Sequence, residues 1–352
     1  MKALVTGASG VVGANLVREL LAQRWDVRAL VRRGPPRRAL GGLPIELAEG
    51  DVLDLASLHA ASAGVDVVFH CAARFSYGSV NQLELERVAI DGTRNMITAA
   101  AGAGVDRVVL TSSSVIFGSS TSAEPRNEDS TFTAEDASAY AVSKFRQSAV
   151  AFSSAAALGI DLVAVCPTLT MGAWDYGLSE SNAIIVKYLN DPFRTTFPGG
   201  CNVVAASDIA RGHLLVAEKG VPGRSYILGA ENLSWRDLHT RISALCGTIG
   251  PLVTATHTGA YLTAAWAEWT SRAFGLPPSL TRDEVRMIGR WYWYEDSAAR
   301  AIGYRPTGTQ AALQTAISWL LRTDHIRPDV RAWLQVPDAA PFTEYHTYSE
   351  RA

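Results

Sequence analysis

The sequence predicts an α/β protein: a doubly wound parallel sheet followed by a smaller, mainly helical C-terminal part. Three observations carry this. Short apolar runs alternate with longer helical patterns through the first 166 residues. Those runs are apolar along their whole length, as strands buried on both faces are. A chain of 352 residues that is 48% hydrophobic has enough apolar material for a large core and enough length for two domains, at roughly 100–200 residues each.

The elements follow in order. Lys2–Thr6 reads as a strand and Val12–Gln23 as a helix with Val12, Leu16 and Leu20 on one face. Further strands read at Val27–Val31, Ile45–Glu49, Asp66–His70, Arg107–Thr111 and Ile160–Cys166, with helices at Leu55–Ala61, Leu83–Ala101 and Ala139–Ala157. After Pro167 the rhythm changes. Gly172–Gly200 reads as irregular, Ser207–Glu218 and Ser234–Leu245 as helices, and Ser225–Leu228 as a strand that returns to the sheet. The domain reading is therefore 1–170 for the sheet domain and 171–324 for a ligand-binding region, with about 201–230 returning to the sheet domain. Residues 325–352 read as a loosely held tail.

Composition narrows the classes of function. The net charge of −2 gives no basic excess for neutralising nucleic-acid phosphates, so no nucleic-acid partner is expected. The four cysteines, Cys71, Cys166, Cys201 and Cys246, are widely scattered. They show neither metal-type spacing nor a disulfide framework. No signal-peptide pattern and no membrane-length apolar run is present. The expectation is a cytoplasmic protein without a membrane span and without a metal.

Gly7-Ala8-Ser9-Gly10-Val11-Val12-Gly13 sits between the first strand and the first helix. Glycines there allow a tight turn and let backbone N–H groups approach a pyrophosphate at the positive helix end. This is the context of a dinucleotide-binding Rossmann domain, with Gly7, Ser9, Gly10, Val11, Val12 and Gly13 as cofactor contacts. The second strand indicates which dinucleotide. Asp26 lies 19 residues after Gly7 but precedes the strand, whereas Arg32 and Arg33 follow its carboxyl end. A guanidinium there suits the 2′-phosphate of NADP(H). Asp51 and Val52, after the third strand, are placed to meet the adenine.

Tyr140 and Lys144 form a Tyr-x-x-x-Lys on a predicted helix. Positions four apart share a face, so phenol and ammonium can converge on one ligand. A cation beside the phenol is expected to lower its pKa and equip Tyr140 as a general acid. Thr111-Ser112-Ser113-Ser114 ends the fifth strand, where open α/β sheets bind ligands. No nucleophile-elbow motif marks a serine hydrolase.

With these motifs in place the chain resembles the extended short-chain dehydrogenase/reductases over about residues 1–320. The resemblance rests on Gly7-Gly10-Gly13, His70-Cys71-Ala72-Ala73, Thr111-Ser112-Ser113, Tyr140 with Lys144, Ser207-Asp208-Ile209-Ala210 and Tyr226-Ile227-Leu228-Gly229. It implies a catalytic Ser113, Tyr140 and Lys144, with Tyr140 and Lys144 also touching the cofactor and Lys144 bonding the nicotinamide ribose. Ala72 and Ala73 would line the cofactor, as would Pro167 and Leu169. The loop Cys166-Pro167-Thr168-Leu169 looks like that of the dihydroflavonol-reductase-like branch, with Leu169 where sugar-nucleotide epimerases commonly carry asparagine. Ala89 departs from many relatives, which carry asparagine there.

The implied function is NADP(H)-dependent reduction of a ketone or aldehyde, with a sugar-nucleotide epimerase or dehydratase as the alternative. Phe75, Tyr77, Phe117, Met171 and Trp174 follow motifs that border the pocket and are expected to contact a hydrophobic or aromatic substrate. Trp174 and the aromatics from Tyr261 to Tyr294 are candidates for an apolar lid. Arginines between Arg194 and Arg290 are available for a pyrophosphate-bearing ligand. A small-molecule carbonyl or alcohol is the expected partner, and a homodimer is compatible with the sequence.

Overall fold

A computed structural model describes residues 1–34, 38–72, 82–135, 137–274 and 285–335. Its main sheet contains β1 (Lys2–Thr6), β2 (Asp26–Val31), β3 (Glu46–Glu49), β4 (Val67–His70), β5 (Arg107–Thr111), β6 (Asp161–Pro167) and β10 (Ser225–Leu228). They lie in the order β10-β6-β5-β4-β1-β2-β3, and every neighbouring pair is parallel. Chain order reverses between β1 and β4. The crevice beyond their carboxyl ends is the topological switch point at which doubly wound sheets bind ligands.

Both faces of this sheet are covered, which explains the unbroken apolar runs. Helices α1 (Val11–Ala22) and α6 (Ala206–Lys219) cover one face, where Leu16, Leu20, Ile209 and Leu214 meet Val5, Phe69 and Val109. Helices α2 (Leu55–Ser62), α3 (Gln82–Gly102) and α4 (Ala139–Leu158) cover the other, with Leu58, Met96, Ile97 and Ala151 against Leu4, Val68 and Leu110. Successive residues such as Leu4 and Val5 therefore enter opposite cores, as the period of two along a strand requires.

The C-terminal part is less helical than the sequence suggests. It builds a second, four-stranded sheet from β7 (Leu169–Met171), β9 (Gly200–Ala205), β11 (Glu231–Ser234) and β13 (Trp291–Tyr292). A short parallel pair joins β8 (Thr195–Thr196) to β12 (Val253–Thr254). Helices α5 (Glu180–Asn190), α7 (Trp235–Leu245) and α10 (Thr309–Leu320) pack on the second sheet through Ile185, Leu189, Leu238, Ile242, Leu313 and Ile317. Helix α8 (His257–Phe274) precedes β13, and the short α9 (Ser297–Ala301) and α11 (Pro328–Arg331) complete the chain's α-helices among the described residues.

Two stretches that read as irregular or loose are ordered by specific contacts. Helix α5 lies inside the stretch 172–200, started by Ser179, whose side chain accepts from the Asn182 N–H. The tail beginning at His325 is anchored: Ile326 is buried in the C-terminal core, and Asn190 holds it from both sides, donating to the His325 carbonyl and accepting from the Arg327 N–H. Residues 336–352 lie outside the described residues. Among the described residues no helix is long and apolar enough to cross a membrane.

Candidate active site

The glycine turn at the end of β1 is shaped by sterics. Gly7 has φ +66°, and a Cβ there would lie 2.7 Å from the backbone of Cys71 and Ala72. A Cβ on Gly13 would come within 2.3 Å of the Gly7 carbonyl. Both glycines are thus required by the turn itself. Gly10 is different. Its φ is −80° and a Cβ would meet only an ordinary contact at 3.5 Å, so the fold gives no internal reason for glycine. The space it leaves lies at the start of α1, whose cap receives no side-chain hydrogen bond. An open helix N-terminus with room in front of it fits a dinucleotide pyrophosphate.

The remaining cofactor candidates fall around this turn. Ser9 is exposed beside it, and Val11 and Val12 open α1. The Ala72 N–H donates to Thr6 Oγ1 at 3.2 Å. Arg32 and Arg33 follow β2 directly and are exposed, while Asp26 is paired with Lys2 at the opposite end of the sheet. Asp51 accepts from the Leu53 N–H at 2.9 Å in its own turn. Val52 is buried in the sheet core, and its carbonyl accepts from the Asn95 amide on α3 at 3.1 Å. Ala73, Phe75 and Tyr77 lie outside the described residues.

The hydroxyl run after β5 divides its labour. Thr111 Oγ1 lies 2.8 Å from His213 Nε2 and 3.1 Å from Cys71 Sγ. Ser112 pairs with Ser148 at 2.7 Å. Ser113 caps the short 3-10 turn Ser114–Phe117 and hydrogen-bonds the Tyr140 phenol. Tyr140 enters in the first turn of α4, which Ser138 caps by accepting from the Ala141 N–H. One turn later Lys144 is buried; its ammonium donates to Gln147 Oε1 at 2.9 Å and to the Thr111 carbonyl at 3.3 Å.

The electrostatics differ from the expectation in one respect. Burial pushes the Tyr140 phenol up to about 12, against the pull of the Ser113 hydrogen bond. Cys166 on β6 adds to the upward shift. Burial pushes Lys144 itself down to about 8. Tyr140 is thereby held in its protonated form, the state of a proton donor.

Ser113 and Tyr140 open into a cavity of about 340 Å³ between the two sheets, whose walls are chiefly apolar: Val115, Leu169, Ile184, Phe197, Trp235 and Tyr292. Lys187 and Glu180 lie in the same wall, 4.0 Å apart. Asn202 braces it: its Oδ1 accepts from Thr168 at 2.8 Å and from the Ala230 N–H, while its Nδ2 donates to Asn232. A smaller cavity of about 100 Å³, flanked by Arg126 and Arg290, shares Val115 and Tyr292 with it.

Three residues expected to border the pocket, Met171, Phe117 and Trp174, lie away from this cavity. Met171 is fully buried among Ile185 and Leu189 and does not line the cavity. Phe117 packs in a small core with Ile116, Cys166 and Ile227. Trp174 turns the other way: the Arg18 guanidinium sits 3.6 Å from its ring, and Trp319 packs beside it. Leu169 lines the cavity beside Tyr140, and Pro167 is buried in β6 beside Leu228. Of the later aromatics, Tyr292 and Tyr294 line the cavity, whereas Trp266 and Trp269 on α8 are about two-thirds exposed, at 66% and 65%. The alanines Ala260, Ala264 and Ala267 take the inward face of that helix, so size alone misleads about which side chains face in. Residues missed from sequence include Ile184, Lys187, Phe197, Asn202 and Trp235. The Ser179 cap and the apolar spacing of Ala183, Val186 and Leu189 would have revealed α5 and with it Ile184 and Lys187.

Residues 3–229 match the NAD dependent epimerase/dehydratase family. The chain belongs to that family. It is 34% identical over 330 residues to a Synechocystis protein named "Putative dihydroflavonol 4-reductase", covering 92% of this chain and 95% of that one. It is 31% identical over 325 residues to sterol demethylase protein B of Methylococcus capsulatus, covering 91% and 98%. Among solved structures, that of gox2253 superposes with a TM-score of 0.82 at 29% identity, covering 92% of this chain and 99% of that one. The family is one of extended short-chain dehydrogenase/reductases, and this member is an oxidoreductase of the dihydroflavonol-reductase-like branch. Ser113, Tyr140 and Lys144 meet past the carboxyl end of β5, the strand next to β4 on the side away from the switch point.

Proposed function

We propose that the protein reduces a ketone or aldehyde on a hydrophobic or aromatic small molecule, using NADPH. The observation that carries this is the cavity: Tyr140 and Ser113 meet apolar walls, and Lys187 is the only basic residue lining it among the described residues. A pyrophosphate-bearing ligand needs more positive charge than that. Four of the described C-terminal arginines are engaged elsewhere, Arg194 with the Tyr188 carbonyl, Arg211 with Asp208, Arg236 with Thr254 and Arg241 with Glu231, and Arg290 flanks the adjoining smaller cavity.

When bound, the reduced nicotinamide supplies a hydride to the carbonyl carbon. Ser113 holds the carbonyl oxygen, and Tyr140 gives it a proton, so the product is the alcohol. The buried Lys144 ammonium, one turn behind the phenol, favours the negative charge left on Tyr140 at that moment. Apolar walls exclude water from the reacting centre and bind the substrate body through its buried apolar area. Arg32 and Arg33 select NADPH through the 2′-phosphate.

A panel of aromatic and aliphatic carbonyl compounds, assayed with NADPH and alongside calorimetry with UDP and a UDP-sugar, tests this reading. Turnover of a carbonyl compound without nucleotide binding supports it. Micromolar binding of UDP or a UDP-sugar without carbonyl reduction overturns it in favour of the epimerase class.

A further inference from the structure

A continuous hydrogen-bonded chain runs from the lysine of the site to the strand that carries the glycine turn. Lys144 Nζ donates to Gln147 Oε1 at 2.9 Å. Gln147 Nε2 donates to Thr93 Oγ1 at 2.8 Å. Thr93 Oγ1 lies 3.1 Å from His70 Nε2, and His70 Nδ1 lies 2.8 Å from Thr6 Oγ1. Thr6 Oγ1 then accepts the Ala72 N–H. Thr6, His70, Thr93 and Gln147 are at most 1% exposed. The chain crosses three elements besides α4: α3 supplies Thr93, β4 supplies His70 and β1 supplies Thr6.

The direction of the first two links is fixed by chemistry. An ammonium only donates, so it must face the amide oxygen. The amide nitrogen must then donate, and Thr93 is there to accept it. A reversed amide would put N–H groups against the ammonium, so that the ammonium loses the Gln147 acceptor and the amide N–H is left unpaired in a buried site, which is costly. Thr93 and His70 therefore act on Lys144 through the orientation of one amide. The chain ends on the Ala72 backbone N–H, an amide that passes no proton onward, so it is built to hold and not to conduct protons.

We propose that Gln147 is a positioning residue for Lys144: its amide, oriented by Thr93 and anchored through His70 to the glycine-turn strand, holds the ammonium charged and aimed past Tyr140. This rests on the proposed function for its kinetic readout alone. The other titratable groups facing Lys144 are Tyr140 on its own helix, Cys71 and His70 from the β4 end, and Cys166 on β6. His213 on α6 reaches the same place through Thr111. His70 and His213 stay neutral above about pH 4 to 5, and both thiols are held well above the ordinary thiol range by burial. A titration near or above neutrality therefore reports Lys144 or Tyr140.

The test compares Gln147→Met, which removes the acceptor at nearly the same size, with Gln147→Glu, which strengthens it. In carbonyl reduction the kcat of Gln147→Met should fall at least tenfold with KM changed less than threefold, and its alkaline limb should move to lower pH. In Gln147→Glu that limb should move to higher pH. Thr93→Val, which leaves Gln147 in place but frees its amide to turn, should resemble Gln147→Met, and serves where that variant folds poorly. A role in packing alone would lower stability and leave the limb fixed. If no carbonyl compound is reduced by the unmodified protein, the functional reading fails separately. The same opposite displacements are then read in the pH dependence of NADPH and NADH dissociation constants, measured by cofactor fluorescence. Unmoved pH dependence in both substitutions overturns the proposal.

Discussion

Arg33 Nε lies 3.6 Å from Glu49 Oε2, so one of the two arginines that follow β2 is drawn toward the carboxylate at the end of β3. The pair is exposed and worth little in stability. Its consequence is directional: Arg33 leans across to the neighbouring strand, which makes Arg32 the residue proposed to meet the 2′-phosphate. We predict that NADPH binds at least tenfold more tightly than NADH, about 1.4 kcal/mol, and that Arg32→Asp inverts the order. Arg33→Ala should have the smaller effect. Titration calorimetry with each dinucleotide measures all three, and equal affinities in the unmodified protein would contradict the account.

Tyr140→Phe keeps the ring and removes the proton donor. Carbonyl reduction should fall by about 10²–10⁴, the usual share of general acid–base catalysis, while the dissociation constant for NADPH changes little. Steady-state kinetics beside a fluorescence titration reads both. A variant with near-normal turnover would remove Tyr140 from the chemistry.

The pH profile of reduction follows from Lys144. Burial lowers its pKa to about 8, whereas the Tyr140 phenol is held up at about 12. Reduction needs the ammonium and the neutral phenol, both present at low pH. Activity should therefore be level below about pH 7 and fall as pH rises through about 8, with the lysine losing its proton first. Lys144→Met should abolish the limb along with most of the turnover, and should weaken cofactor binding as well. A limb displaced to the phenol's range would show that Lys144 is not the group that titrates.

Acid stability follows from three buried histidines. Burial lowers His70 to about 3 and both His213 and His239 to about 4. Each folded pKa lies below the unfolded value of 6.5, so the unfolded chain binds the extra protons. The stability these neutral rings allow is complete above about pH 6.5 and is lost as pH falls toward about 4. With nearly three protons taken up on unfolding, the loss should approach about 4 kcal/mol per pH unit in the middle of that window. Urea unfolding at stepped pH values measures it, and His239→Gln should make the slope shallower by about one-third. A slope unchanged by that substitution would mean His239 is not among the groups responsible.

Much of the sheet domain is legible in the sequence because both its faces are covered. Strands such as Arg107–Thr111 are apolar through their middle, and the helices between them carry a single apolar stripe, so local pattern and tertiary burial agree. The glycine turn and the Tyr140–Lys144 spacing are local motifs as well. The cavity is a different kind of object. Its walls come from residues far apart in sequence, and a side chain's part in it depends on where along a strand it falls: Leu169 and Met171 share one face of β7, yet Leu169 lines the cavity while Met171 is fully buried. Trp174 has the size and sequence position of a pocket residue, but its positive φ turns the chain back onto α1, where Arg18 receives the ring. Gln147 gives no signal in the sequence for a related reason, since only the packing of α3 against α4 brings Thr93 to its amide.

The central claim is net hydride transfer from NADPH to a carbonyl carbon, and isotope transfer tests it most directly. The protein would be incubated with NADPH deuterated at the transferring position of the nicotinamide and with a carbonyl compound found by the panel, and the product analysed by mass spectrometry and NMR. The account predicts one deuterium on the carbinol carbon and one NADP⁺ formed for each alcohol. A carbonyl compound recovered unchanged, together with a UDP-sugar converted to its epimer without net oxidation of the cofactor, would contradict it.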